Sequence, residues 1–167
     1  MSETKYNVMV VDDDESVRDS LCKLLSGEGY RVVLAANGVE AVETFRWKRE
    51  QVDLLLIDLN MPLKNGWATL DRLLEVNRSL PVFILTGLSH QNELAEAAGV
   101  CALVEKPIDV PGLLQLIQRQ LAGPLHPRLQ AAGCRAFPFY CLRARNESPG
   151  QWTEPAVAPY NHWGLNE

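Results

Sequence analysis

Five short apolar runs recur along the chain, at residues 6–11, 31–34, 53–57, 81–85 and 101–104. Their Val, Ile and Leu residues follow one another with little polar alternation, the pattern of strands covered on both faces. Between the runs, apolar residues return at helical spacing. Val17, Leu21, Leu24 and Leu25 make one such face, and Val39, Val42 and Phe45 a second. Trp67, Leu70, Leu73 and Leu74 make a third, Leu94, Ala95 and Ala98 a fourth, and Leu113, Leu114, Ile117 and Leu121 a fifth. Strand and helix thus alternate five times. That alternation predicts a doubly wound α/β fold, because parallel neighbours need right-handed crossovers that lay helices on both faces of the sheet. The punctuation agrees: Asp14 can cap the first helix, Gly27 and Gly29 can stop it, Gly99 can stop the fourth, and Pro111 suits the first turn of the fifth.

Four of the runs end in polar residues that a buried strand has no reason to carry: Asp12-Asp13, Asp58, Thr86 and Lys106. The run at 31–34 ends instead in Ala35-Ala36-Asn37-Gly38, without a catalytic-type side chain. In open parallel sheets, ligands collect beyond the carboxyl ends of the strands, so these four positions point to one cleft. Two carboxylates about 4 Å apart repel by roughly 4 kcal/mol at an effective dielectric near 20. Clustering Asp12, Asp13 and Asp58 therefore calls for a counter-ion. An all-oxygen donor set selects a hard cation, and Mg²⁺ is the one that keeps several waters while bridging carboxylate and phosphate. A carboxylate attacking a phosphoryl group needs that cation and fixed positive charge nearby, since anion otherwise repels anion.

With 167 residues, the chain has room for one domain and an appendage. A net charge of −5 and the lack of a Lys/Arg-rich block speak against a nucleic-acid surface. No apolar stretch reaches bilayer length and residues 1–5 lack a secretory core, so a cytoplasmic protein is expected. Cys22, Cys101, Cys134 and Cys141 lack zinc-type spacing. The first two read as small core residues, and a metal site built from Cys134, Cys141, His126 and His162 is not expected. His90 reads as a solvated helix-start residue, and Trp47 and Trp67 as packing on or near the sheet.

Four blocks carry a family resemblance: Val10-Val11-Asp12-Asp13, Ile57-Asp58-Leu59-Asn60-Met61-Pro62 with Gly66, Leu85-Thr86-Gly87, and Glu105-Lys106-Pro107. In order and spacing they resemble the CheY-like receiver domain of two-component response regulators, over about residues 5–122. The resemblance implies a flavodoxin-like, five-stranded parallel sheet of order 2-1-3-4-5 with five helices, in a receiver of residues 1–123. It implies that Asp58 accepts a phosphoryl group from a sensor histidine kinase, a phosphotransfer protein or acetyl phosphate. Asp13, Asp58 and the backbone carbonyl of Asn60 would hold Mg²⁺, with Asp12 acting mainly through water. Lys106 would hold one phosphoryl oxygen and Thr86 another, and Gly87 would leave the approach open. A cis bond between Lys106 and Pro107 would aim the ammonium inward. Kinase docking would use Asp14, Val17, Ser20, Pro107 and Ile108. The chain would catalyse only its own phosphorylation and slow dephosphorylation, and so would not count as an enzyme. It would act as a monomer or a weak phosphorylation-dependent dimer.

One position departs from the family pattern. Many receivers carry Tyr or Phe three residues before the Lys, and Leu103 stands there. With no ring and no polar tip, the switch formed by Thr86 and Leu103 has less of a two-position readout, so the signal is expected to travel by loop repacking around Gly87-Leu88-Ser89. Asn60 and the apolar Leu88 flank the path of attacking water, which predicts slow self-hydrolysis. Two rival functions stand beside the receiver. A phosphorylation-independent interaction module would draw its support from Leu103. A phosphohydrolase of the haloacid dehalogenase type would want a second Asp two positions after the nucleophile, where Asn60 stands.

Residues 124–167 hold six prolines, four Arg, no Lys and half of the aromatic residues, without helical or alternating periodicity. An irregular tail is expected, with no helix-turn-helix output and no direct contact with DNA. It reads as an extension packed on the receiver, as a partner-binding peptide around Phe137-Pro138-Phe139-Tyr140 or Trp152, or as a remnant of an output domain. The last two are favoured. The downstream target is an unnamed protein.

Overall fold

The computed structural model describes residues 6–48, 51–61, 66–87, 100–122 and 140–142. Its elements in chain order are β1 (Asn7–Val11), α1 (Glu15–Gly27), β2 (Arg31–Ala35), α2 (Gly38–Lys48) and β3 (Leu54–Asp58). Then come α3 (Gly66–Val76), β4 (Val82–Thr86), β5 (Ala102–Glu105), α4 (Val110–Ala122) and β6 (Tyr140–Leu142). The fourth helix expected around Leu94, Ala95 and Ala98, with its stop at Gly99, lies outside the described residues.

Every strand pairing is parallel and the order is β2-β1-β3-β4-β5-β6. The first five strands have the expected 2-1-3-4-5 order. Successive strand residues face opposite ways, which splits the apolar runs into two cores. Met9, Val11, Leu55, Ile57, Ile84 and Leu103 pack with Phe45 of α2 and with Leu70 and Leu73 of α3. Val8, Val10, Leu54, Leu56, Phe83, Leu85 and Val104 pack on the other face with Leu21 and Leu25 of α1 and with Leu113, Ile117 and Leu121 of α4. Each such side chain removed from water contributes about 1.5–3 kcal/mol, so the double cover explains the unbroken apolar runs. Asp14 caps α1 as expected, accepting from the backbone N–H groups of Ser16 (2.8 Å) and Val17 (3.4 Å). Gly29, with φ of +88°, takes the left-handed conformation that turns the chain into β2.

Three expectations change. Val39 is not a core residue but is 44% exposed. The stripe of α2 runs through Gly38, Ala41, Val42 and Phe45, because the missing side chain at Gly38 lets the helix approach Thr69 of α3, and this turns Val39 outward. Trp47 does not pack on the sheet but is 89% exposed, two residues and so about 200° beyond the buried Phe45. Trp67 is half-buried against the core, as expected. The tail, expected to be irregular, supplies the sixth strand, β6, on the outer side of β5. Three residues are too few for an alternating pattern to show in sequence.

The sheet order reverses between β1 and β3, and the helices that follow them leave on opposite faces. The crevice opened there lies at the carboxyl ends of the strands.

Candidate functional site

The residues that end β1, β3, β4 and β5 meet in that crevice. Asp12 follows the last residue of β1 and is fully buried. Its Oδ1 accepts the backbone N–H of Asp14 at 2.9 Å, so the turn that starts α1 also fixes the carboxylate. Asp58 is the last residue of β3 and is 4% exposed. Its Oδ1 accepts the backbone N–H of Asn60 at 2.8 Å. The second oxygens of both carboxylates converge on one ammonium: Lys106 Nζ lies 2.7 Å from Asp58 Oδ2 and 3.0 Å from Asp12 Oδ2. Lys106 reaches them from the end of β5, where its N–H donates to the Thr86 carbonyl at 2.7 Å and the Lys106-Pro107 peptide bond is cis. Thr86 ends β4 and is fully buried.

Asp13 is exposed, yet its carboxylate belongs to the same group, with one oxygen each from Asp12, Asp13 and Asp58 within 4.8 Å of one another. Burial pushes the Asp12 carboxyl above the usual carboxylate range and the charge of Asp58 adds to this, while the Asp14 N–H and Lys106 act against it. For Lys106, burial alone would lower the pKa, but the hydrogen bonds and charges of Asp58 and Asp12 prevail and raise it. The ammonium therefore stays charged. Three carboxylates facing one ammonium leave excess negative charge in a site made of oxygen donors, the chemistry of a hard divalent cation.

Sequence reasoning missed one support, Arg18, and named a second, Gly66, without its packing role. Arg18, half-buried in α1, donates through Nη1 to the backbone carbonyls of Asp12 (2.8 Å) and Asp13 (3.0 Å), holding the acidic turn from below. Its signal was a lone Arg one turn into a helix that starts at an acidic cluster. Gly66 begins α3 directly against the end of β3. A Cβ there would stand 2.5 Å from Leu59 Cα and 2.8 Å from the Asp58 carbonyl oxygen, so only glycine lets helix and strand end meet. At Gly87 the nearest described atom to such a Cβ is Asn60 Nδ2, at 3.9 Å, an ordinary van der Waals contact.

Beside the crevice, α1 and the loop after β5 enclose an apolar groove of about 510 Å³. Val17, Ser20, Pro107 and Ile108 line it, together with Leu21, Leu24 and Val110. Asp14 is not among its lining residues and spends its carboxylate on the helix cap. Leu103 is fully buried between Ile84 and Cys141. Pro62, Leu88, Ser89 and His90 lie outside the described residues.

The sequence model of the response regulator receiver domain matches residues 8–118, a span that contains all the groups of the crevice. The chain belongs to the response regulator receiver family. Among its relatives, the chemotaxis protein CheY of Treponema pallidum is 32% identical over 115 residues, covering 67% of this chain and 80% of that protein. The transcriptional regulatory protein ZraR of Klebsiella oxytoca is 39% identical over 151 residues, 89% of this chain but 33% of that protein. The receiver chain thus spans about a third of the length of that relative. Solved structures agree on the fold. Vibrio cholerae CheY4 superposes with a TM-score of 0.65 at 28% identity, covering 70% of this chain and 98% of that one. The CheX-CheY-BeF3-Mg²⁺ complex of Borrelia burgdorferi gives 0.64 at 25% identity, covering 68% and 87%. The protein is therefore a receiver domain of two-component signalling, and its four strand-end blocks are the ones by which the sequence resembles the family.

Proposed function

We propose that this receiver takes a phosphoryl group onto Asp58 and signals by a phosphorylation-dependent change in protein binding. The observation that carries the reading is the Lys106 ammonium held between Asp58 and Asp12, inside a group of three carboxylates. The residues fit Mg²⁺: Asp13 and Asp58 would hold it with the carbonyl of Asn60, and Asp12 would act through water. Receivers crystallised with Mg²⁺ and beryllofluoride, from Borrelia burgdorferi and Thermotoga maritima, support that choice. When bound, the ion supplies the charge that lets one anion approach another.

The chain's own groups do the rest. Asp58 Oδ attacks phosphorus, the bond from phosphorus to the donor breaks, and the electron pair leaves on imidazole nitrogen or acetate oxygen. Lys106 exchanges its contact with the Asp58 carboxylate for one with a phosphoryl oxygen, acting as a point charge. The Thr86 hydroxyl hydrogen-bonds a second oxygen. Gly87, having no side chain, leaves the approach of the donor open. The donor protein is a sensor histidine kinase or a phosphotransfer protein, and it docks on the groove lined by Val17, Ser20, Pro107 and Ile108, with Asp14 at its margin. The protein works in the cytoplasm as a monomer or a weak phosphorylation-dependent dimer, without direct contact with nucleic acid or membrane. It turns over no separate substrate and loses its phosphate slowly.

A phosphorylation-independent interaction module keeps one observation in its favour, the buried Leu103 in place of an aromatic switch. Following intact mass and free inorganic phosphate together, with acetyl phosphate and Mg²⁺ present, separates the functions. A long-lived adduct is expected. Continuous phosphate release without an adduct would mean a phosphohydrolase, and neither signal would mean the interaction module.

A further inference from the structure

The outer edge of β5 is covered by a segment from far along the chain. An edge strand presents a row of unpaired N–H and C=O groups, a template for another strand. Here β6 meets that template in parallel, with Ala102 opposite Tyr140, Leu103 opposite Cys141 and Val104 opposite Leu142. Ala102, Leu103 and Val104 are fully buried, so removing β6 would bare apolar surface as well as backbone. Two side chains of β6 pack against the two cores. Cys141 packs beside the core under α2 and α3, and Leu142 beside the core under α1 and α4.

A second, independent feature receives the segment. Gly112 in the first turn of α4 has no side chain, and a Cβ there would fall 2.7 Å from Asp109 Oδ2 and 2.8 Å and 3.1 Å from the two methyl carbons of Leu142. The helix thus has a seat for that leucine. Seventeen residues, 123–139, join α4 to β6. A strand of the same chain meets the edge intramolecularly, which favours it over an equal strand on another molecule.

We propose that the β5 edge is a strand-binding surface, closed in cis by Tyr140–Leu142, and that this closure keeps a second copy of the chain from pairing with the edge. The ligand class is a short, extended apolar strand. The surface lies apart from the Asp58 crevice, so an Asp58→Asn chain must behave as the wild type does.

The test uses the full chain and alkylation by iodoacetamide mapped to Cys141, with sedimentation velocity alongside. In the wild type, Cys141 should react about tenfold more slowly than in denaturant, and the protein should sediment as a monomer. Leu142→Asp should remove that protection and shift the protein to a dimer, and a synthetic peptide of residues 136–146 should return it to monomer. Gly112→Leu, which fills the seat without charging the strand, should act alike while far-ultraviolet circular dichroism stays unchanged. A wild-type Cys141 that reacts as fast as in denaturant overturns the proposal. So does an opened chain that remains monomeric.

Discussion

At the scale of single residues, the site is a balance of charge around Lys106. Asp12 is fully buried and Asp58 nearly so, and one ammonium serves both. Lys106→Met leaves the two carboxylates facing each other. The expected outcome is a loss of about 1–3 kcal/mol of stability in metal-free buffer, discounted from a fully buried pair because the lysine is partly exposed. Urea unfolding measures that loss, and added Mg²⁺ should restore part of it by binding only the folded state. Labelling by acetyl phosphate should also slow about a hundredfold, the cost of removing one charge-stabilising donor. Cys101 gives a second residue-scale expectation. Burial pushes its thiol up to about 12, so it stays protonated and unreactive through neutral and mildly alkaline pH. Alkylation mapped to Cys101 should require unfolding. The acidic cluster, the Thr and the Lys were legible in the sequence because each breaks an apolar run at the same relative place. Arg18 left only the faint mark of an Arg one turn into a helix that starts at an acidic cluster, because its partners are backbone carbonyls, which residue type does not show.

At the scale of elements, the strands were legible and the helix faces less so. A strand buried on both sides writes its burial into every residue, whereas a helix has a stripe whose angle depends on what it meets. In α2 that angle was set by Gly38 against Thr69, so Val39 and Trp47 point to water against expectation. The short β6 was illegible for a different reason: its stability comes from the edge and the seat it fills, and neither is local in sequence. The approach of α3 to β3 yields a prediction. Gly66→Ala gains roughly 1 kcal/mol of helix propensity, but its Cβ meets backbone that cannot yield. A net loss of about 1–3 kcal/mol is expected, as for other overpacked positions, with slower phosphoryl uptake at Asp58. Thermal unfolding and labelling rate measure the two effects separately.

For the whole molecule, doubly wound topology brings four strand ends to one crevice and sets a groove between α1 and the loop after β5 beside it. Under the proposed function, chemistry and kinase docking are thus adjacent but separable. Val17→Asp or Ile108→Asp should cut phosphotransfer from the cognate kinase at least about tenfold, as loss of an apolar anchor does. Acetyl phosphate labelling of the same variants should be unchanged. The central claim is that Asp58 captures a phosphoryl group only as part of the cation-dependent cluster with Asp12, Asp13 and Lys106. Its most direct test is acetyl phosphate labelling with Mg²⁺ or with a chelator, acid quenching and peptide mapping. The account predicts one phosphoryl group per chain on the peptide containing Asp58, absent with chelator and absent from Asp58→Asn. Labelling at another residue, or equal labelling of Asp58 without a divalent cation, would contradict it.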